Sequence, residues 1–308
     1  MKIWIGITDK DWFRHLLARR PDEVNFWQPS GSREFRVLQP GEPFLFKLHA
    51  PDHFIVGGGF FVRYSALPTS VAWEAFEQKN GVANLVELRE RVRRYRRREA
   101  ELDPVIGCNI LANPFFLDRE DWIPAPADWA SNIVTGKTFS TETVAGQTIW
   151  QQVTQAISAQ PRVGQQDLPA VNMERRFGEE FLTRGRLGQG AFRILVTEAY
   201  ERRCAISGEK TVPVLEAAHI RPYASEGPHQ ICNGLLLRSD IHKLFDLGYV
   251  TVTPELRVEV SPRLRADYSN GREYYAHHGR ELASRPVKNA FQPGREFLRW
   301  HNDEVFKS

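Results

Sequence analysis

The chain has 308 residues, of which 42% are hydrophobic and 26% are charged, a composition that is typical of soluble globular proteins and argues against disorder or a fibrous repeat. Its length suits two ordinary domains, each large enough to bury its own core. The net charge of +3 is too small to indicate a polyanionic partner by itself.

The N-terminal sequence MKIWIGITDKDWF meets charged residues too early for a secretory signal peptide, and no run of about 18 apolar residues follows anywhere. The three cysteines, Cys108, Cys204 and Cys232, form no CxxC pair. Widely spaced cysteines fit a reducing compartment and give no sign of a zinc knuckle or a disulfide framework. We therefore expect a cytoplasmic protein with no membrane partner and no structural zinc.

The N-terminal region is predicted to be rich in strands. Its apolar runs IWIGI, PFLFKL and FIVGGGFFV are separated by turn sequences such as QPSGS and QPGEP. Between residues 82 and 102, apolar residues recur at helical spacing within an arginine-rich stretch, which predicts one exposed basic helix. Interspersed glutamates leave two interpretations open, DNA contact or a solvated face braced by ion pairs.

A polar segment without periodicity, residues 158–172, contains two prolines and is typical of an interdomain linker. We therefore predict a first domain over residues 1–157 and a second over residues 173–308. In the second domain the sequence predicts a helix around Phe192, followed by a turn and a strand.

Three residues that could serve phosphodiester hydrolysis, a histidine, an asparagine and a second histidine, follow in this order in the second domain. His219 ends the apolar strand VLEAAHI, and Asn233 and His242 come after it. Hydrolysis at neutral pH needs a base for the water and a cation that neutralises the charge developing on the phosphate. Asp246 lies four residues after His242, so both side chains share one helix face and could bind a single divalent ion.

Around these residues, the sequence EAAHIRPYASEGPHQICNGLLLRSDIHKLFD resembles the HNH, or ββα-metal, nuclease superfamily, particularly its restriction-enzyme branch, over roughly residues 193–260. The resemblance implies that His219 is the general base of a metal-dependent DNA endonuclease. It also implies that Asn233 braces the hairpin loop and that His242 binds the catalytic ion, expected to be Mg²⁺ or Mn²⁺. Asp246 matches a second ligand position of that superfamily.

One position departs from the HNH pattern. Many members carry a metal ligand immediately before the base, where this chain has Ala218. Glu216 points to the same side of the strand by the period of two and is the candidate replacement. Arg221 and Arg193 are candidates for contacts to DNA phosphates beside the site.

The sequence FRVLQPGEPFLFKLHAPDHFIVGGGFFV resembles the PUA-like group, which includes EVE, ASCH and SRA domains. The two resemblances together imply an α+β chain, with a PUA-like β-barrel domain and helices followed by a C-terminal HNH domain. PUA-like relatives include readers of modified bases, and a flipped base needs stacking surfaces and hydrogen bonds. The candidate pocket residues are Trp27, Asn25, Gln28, Ser30, Trp73, Asn80, Trp122 and Asn132.

The combined interpretation is a modification-dependent, type IV-like restriction endonuclease, which recognises modified cytosine or another modified base in double-stranded DNA and cuts nearby. Two alternatives stay open: an HNH nuclease that recognises unmodified sequence or structure, and a non-catalytic DNA-binding protein on an HNH scaffold, which Ala218 makes worth considering. Cutting both strands needs two active sites or two successive nicks, so we also consider a homodimer.

Overall fold

The computed structural model describes residues 1–96, 101–130, 132–159, 178–184 and 187–308. The chain divides into two compact units, Met1–Leu182 and Thr183–Ser308. From residue 160 onward, the predicted linker lies outside the described residues. Among the helices that are described, none combines the length and the apolar character needed to cross a membrane.

The first unit is built on a mixed seven-stranded sheet. Its strands are β1 (Lys2–Thr8), β2 (Glu23–Gln28), β3 (Pro43–Leu48), β4 (Phe54–Pro68), β5 (Val105–Phe116), β6 (Ile123–Pro124) and β7 (Gly136–Ser140). The order is β2-β5-β4-β3-β1-β7, and β6 pairs with β4. Only β1 and β3 run parallel among these pairs of described strands. The two ends of this path, β2 and β7, do not pair with each other, so the described strands form an open sheet instead of the predicted closed barrel.

Four described helices lie within the first unit: α1 (Lys10–Arg19), α2 (Thr69–Phe76), α3 (Leu85–Tyr95) and α4 (Val144–Ala159). A fifth, α5 (Glu179–Arg184), spans the division after Leu182. Asp9 caps α1, because its carboxylate accepts a hydrogen bond from the backbone N–H of Trp12 at 2.7 Å. Trp12 and Phe13 of this helix join the aromatic core beside the sheet. The basic helix predicted from the arginine-rich stretch corresponds to α3, which buries only Leu88 and Val92.

The second unit contains two short antiparallel hairpins surrounded by helices. Its elements are α6 (Gln189–Ala199), β8 (Leu215–His219), β9 (Gly234–Arg238), α7 (Ser239–Asp246), β10 (Val250–Val252), β11 (Val258–Val260), α8 (Arg263–Tyr268), α9 (Arg272–Tyr275) and α10 (Arg295–Glu304). Strand β8 pairs with β9 so that His219 lies opposite Gly234. The mixed α+β class predicted from the sequence is confirmed across the two units.

Helix α6 packs closely against the β8–β9 hairpin. It buries Phe192 and Val196, and a Cβ atom at position 234 would lie 2.6 Å from Cγ2 of Val196. Glycine at the start of β9 therefore allows the helix to approach the backbone of the hairpin. On α7, Ile241 and Phe245 are buried, and Phe245 stacks on His301 of α10 with ring centroids 3.7 Å apart.

Candidate active site

The hairpin and the following helix bring the predicted His, Asn and His residues to one part of the second unit. His219 ends β8, Asn233 directly precedes β9, and His242 lies near the beginning of α7. Helix α7 packs on both strands, and the charge of His242 is close enough to affect the pKa of His219. The two histidines therefore belong to one local electrostatic environment, and neither is fully buried.

Asn233 closes the loop between β8 and β9. Its buried side chain accepts a hydrogen bond from the backbone N–H of Arg221 and donates to the carbonyls of Arg221 and Pro228, each at 2.9 Å. The carbonyl of Asn233 also accepts from the N–H of Ile220 at 2.9 Å. These contacts tie together the two sides of the loop; the bracing role that the resemblance implied for Asn233 in the nuclease stays a prediction.

The His219 ring is held between an aromatic face and a second imidazole. It stacks on Phe192, with ring centroids 3.9 Å apart and an interplanar angle of 11°. Its Nε2 lies 2.9 Å from Nδ1 of His229. Burial, followed by the charges of His229 and His242, lowers the pKa of His219 to about 4. The imidazole is therefore neutral near pH 7 and able to accept a proton.

Sequence reasoning missed His229. This residue lies in the loop between β8 and β9, where Tyr223 stacks on it with centroids 5.0 Å apart. A loop histidine between proline and glutamine follows no strand or helix period, so no pattern distinguished it from a solvent-exposed residue. Its only signal was its position inside the segment that resembles HNH nucleases.

The candidate metal ligands form a cluster around His242. Nδ1 of His242 lies 2.6 Å from Oε2 of Glu216, and Nε2 lies 3.5 Å from Oδ2 of Asp246. Burial, together with the negative charge of Glu216, raises the pKa of Asp246. Glu216 thus contacts His242, and it is exposed while Ala218 on the same strand is buried; its role as a replacement metal ligand stays a prediction.

An imidazole and two carboxylates are donors that Mg²⁺ or Mn²⁺ accepts. Within the described part of the chain, however, no group of three or more His, Cys, Asp or Glu side chains is arranged to hold a metal ion. The two carboxylates lie at different ring nitrogens of His242: Glu216 is hydrogen-bonded to Nδ1 at 2.6 Å, and Asp246 is 3.5 Å from Nε2. The residues fit a divalent ion in kind, and His242 would have to exchange a carboxylate partner for the ion.

The two arginines proposed for phosphate contact lie on different elements. Nε of Arg221 donates to the carbonyl of Ser225 at 2.6 Å, and its guanidinium lies 5.6 Å from the ring centroid of Trp300. Arg221 thus stabilises the loop that follows His219. Arg193 is half-buried on α6. Phosphate contact by either side chain stays a prediction.

A cavity of about 1030 Å³ lies in the first unit. Trp27, Gln28 and Ser30, from the end of β2 and the loop that follows it, line this cavity. Tyr95 of α3 is also in the lining, with its ring centroid 6.3 Å from that of Trp27. Further lining residues include Asp9, Trp12, Phe26, Arg33, His49, Arg93, Arg96 and Glu101. The cavity thus combines aromatic surfaces with both signs of charge.

Asn25 and Asn80 support the cavity without lining it. Both are fully buried, and Nδ2 of Asn25 donates to Oδ1 of Asn80 at 2.8 Å. The backbone carbonyl of Asn80 accepts hydrogen bonds from the indole N–H groups of Trp12 and Trp27, each at 3.0 Å. This shared acceptor fixes the orientation of the Trp27 ring.

The other three pocket candidates lie elsewhere in the first unit. Trp122 donates to the carbonyl of Leu117 at 3.2 Å and packs on the rings of Phe13 and Phe54. Trp73 is half-buried on α2, and Asn132 is exposed. None of the three is among the described residues that line the cavity. An aromatic side chain in a loop can pack against a core just as well as line a pocket, and sequence does not distinguish the two.

Residues 204–253 match the family model described as HNH endonuclease, which confirms the resemblance of this segment. No curated protein matches the chain. Solved structures that are similar to it at low identity include an ASCH protein and two restriction endonucleases. An ASCH protein from Zymomonas mobilis, in a mutant form, is 9% identical and covers 49% of this chain and 98% of its own, with a TM-score of 0.34. The modification-dependent restriction endonuclease TagI is 13% identical over 92% of this chain and 75% of its own, with a TM-score of 0.29. The type IV phosphorothioation-dependent restriction endonuclease ScoMcrA is 12% identical over 73% of this chain and 48% of its own, with a TM-score of 0.21.

Proposed function

We propose, from the HNH endonuclease module that residues 204–253 form, that this chain is a modification-dependent DNA endonuclease. In this proposal the second unit hydrolyses a phosphodiester bond, and the cavity of the first unit binds a modified base, such as a modified cytosine. The observation that carries the nuclease part is the grouping of His219 at the end of β8, Asn233 just before β9 and His242 on α7 within the matched segment.

His219 is the proposed general base. Its lowered pKa keeps the imidazole unprotonated at neutral pH, and stacking on Phe192 fixes the plane of its ring. A base held in one orientation and in the correct protonation state can remove a proton from an attacking water. Asn233 contributes by fixing the loop that leaves β8 at this histidine.

His242, Asp246 and Glu216 are the residues that would hold a divalent ion. When bound, such an ion neutralises negative charge that develops on the phosphate and the leaving oxygen. Glu216 and Asp246 supply two negative charges on either side of the His242 ring. The two negative charges favour a cation nearby, and in this proposal Glu216 takes the role of the ligand that is missing at position 218.

The cavity of the first unit supports the modified-base part of the proposal. Base flipping costs a few kcal/mol of unstacking, which must be recovered by stacking and hydrogen bonding inside the pocket. Trp27 offers an aromatic face whose orientation is fixed by its indole hydrogen bond, and Gln28 and Ser30 offer polar groups in the same lining. Arg33 and Arg93, which also line the cavity, are cations suited to the flanking phosphates.

The test is digestion of two matched plasmids, one with modified cytosine and one without, in Mg²⁺ or Mn²⁺. We expect the parent chain to cut the modified plasmid, and EDTA or the change His219→Ala to abolish cutting. Trp27→Ala should abolish the preference for modified DNA. Trp73→Ala, a tryptophan outside the cavity lining, is the matched control and should retain the preference.

The outcomes separate the alternatives. Equal cutting of both plasmids would remove the modified-base reader while leaving the nuclease intact. Binding of DNA without any metal-dependent cutting would instead indicate a DNA-binding protein on an HNH scaffold.

A further inference from the structure

We propose that His229 is a positioning residue, which accepts a hydrogen bond from Nε2–H of His219 and so keeps Nδ1 of His219 available as the base. This inference rests on the proposed nuclease function. It concerns a residue outside the His, Asn and His set, and it specifies which nitrogen of His219 takes the proton.

The contact between the two imidazoles is close and directional. Nε2 of His219 and Nδ1 of His229 are 2.9 Å apart, within the usual range for a nitrogen donor. The ring centroids are 4.9 Å apart and the planes are inclined by 68°, so the rings meet through an edge instead of stacking. Among the described residues, Nε2 is the ring nitrogen of His219 that has a protein hydrogen-bond partner.

His229 is held in place on several sides. The ring of Tyr223 stacks on it at 5.0 Å with an interplanar angle of 14°, and Phe192 lies 5.9 Å away on α6. The preceding residue, Pro228, is fixed through its carbonyl, which accepts from Nδ2 of Asn233 at 2.9 Å. The loop therefore presents Nδ1 of His229 to His219 as part of an ordered arrangement.

A single hydrogen bond between two neutral imidazoles allows two tautomeric states, and only one of them leaves a working base. If His229 donated, the neutral His219 ring would carry its proton on Nδ1, which could not then accept another from water. If His219 donates through Nε2, its Nδ1 lone pair is free. The partner of one ring nitrogen thus determines the chemistry of the other.

The proton transfer balances within this arrangement. The attacking water gives one proton to Nδ1 of His219, its oxygen forms the new bond to phosphorus, and the ester oxygen leaves with its electron pair and takes a proton from solvent. His219 then carries a positive charge and still donates to His229 through Nε2. Because a hydrogen bond from a charged donor is stronger than one from a neutral donor, a neutral His229 stabilises the protonated His219 ring, whereas a positively charged His229 would lower the pKa of His219.

The kinetic test compares His229→Ala with His229→Asn in the full-length chain. Alanine removes the acceptor, and we expect kcat near pH 7 to fall about 10- to 100-fold with KM little changed. The amide oxygen of asparagine can take the place of Nδ1, so His229→Asn should recover most of the parental kcat. His277→Ala, a histidine after α9, is the matched control and should leave kcat unchanged.

A second measurement does not depend on cleavage. When the protein is labelled with ¹⁵N-histidine, NMR should show the neutral His219 ring protonated at Nε2 and unprotonated at Nδ1. The preference for this tautomer should weaken in His229→Ala. If the parent chain does not cut DNA, the nuclease proposal fails while the NMR result still decides the role of His229. A His219 ring protonated at Nδ1 in the parent would overturn the inference, as would an unchanged tautomer in His229→Ala.

Discussion

Replacing Asn233 with alanine should loosen the loop between β8 and β9 without removing either strand. The change deletes three side-chain hydrogen bonds, one to the N–H of Arg221 and two to the carbonyls of Arg221 and Pro228. The carbonyl of Pro228 keeps a second partner, the N–H of Gln230 at 2.9 Å. The backbone N–H and carbonyl of Arg221 are therefore the groups that the change leaves without the hydrogen-bond partner they have in the parent chain.

The magnitude follows from those two groups. Leaving a buried polar group without a partner costs about 1–3 kcal/mol, and water entering the vacated space recovers part of the sum. We therefore expect the free energy of opening the loop to fall by about 3 kcal/mol. Since about 1.4 kcal/mol corresponds to a tenfold change in an equilibrium constant, amide exchange in the loop should accelerate roughly 100-fold.

Hydrogen exchange read by mass spectrometry measures this directly on peptides that cover residues 220–233. Asn289→Ala, which alters an exposed asparagine in the same unit, should leave these peptides within a factor of about 2 of the parent, because surface changes usually stay within about 0.5 kcal/mol. Exchange less than about 5-fold faster in Asn233→Ala would refute the reasoning. The loop would then depend on the backbone bond between Ile220 and Asn233, which alanine preserves.

Three further predictions concern packing and titration. In Gly234→Ala the new Cβ would approach Cγ2 of Val196, so urea unfolding should show a loss of about 1–3 kcal/mol; an unchanged midpoint would contradict the packing. Burial lowers the pKa values of His219 and His301 to about 4, so the unfolded chain binds more protons between pH 6.5 and 4. The free energy of unfolding should therefore fall as pH is lowered through that window, by about 3 kcal/mol through His301 alone. The change His301→Gln should make the free energy of unfolding less dependent on pH. Burial raises the pKa of Cys108 to about 12, so iodoacetamide should label it only after unfolding, and rapid labelling of the native chain would contradict its burial.

The local parts of the site could be predicted from sequence. The hairpin and α7 come from consecutive segments, so the order of His219, Asn233 and His242 already implied their approach. The shared helix face of His242 and Asp246 follows from a spacing of four residues, and their side chains are 3.5 Å apart. Glu216 was proposed from the strand period, and its contact with His242 joins β8 to α7, which pack against each other.

Features that depend on loop paths or long-range packing could not be predicted. The approach of His229 to His219 requires the loop to fold back, and that path depends on contacts within the loop, among them the hydrogen bonds of Asn233 and of Arg221. The sheet order of the first unit places β5 between β2 and β4, which no local pattern encodes. For the same reason Trp122, a pocket candidate by sequence, packs instead on Phe13 and Phe54.

The backbone carbonyl oxygen of Asn80 accepts hydrogen bonds from the indole N–H groups of Trp12 and Trp27, which both line the cavity. Gly81, with φ of 75°, follows it, and a side chain there would collide with the Trp12 ring. A substitution at this turn would displace Trp12 and the peptide to which Trp27 is anchored. If the cavity binds a modified base as proposed, a substitution at Gly81 should therefore change the base preference without contacting the base, through the carbonyl of Asn80 that orients Trp27.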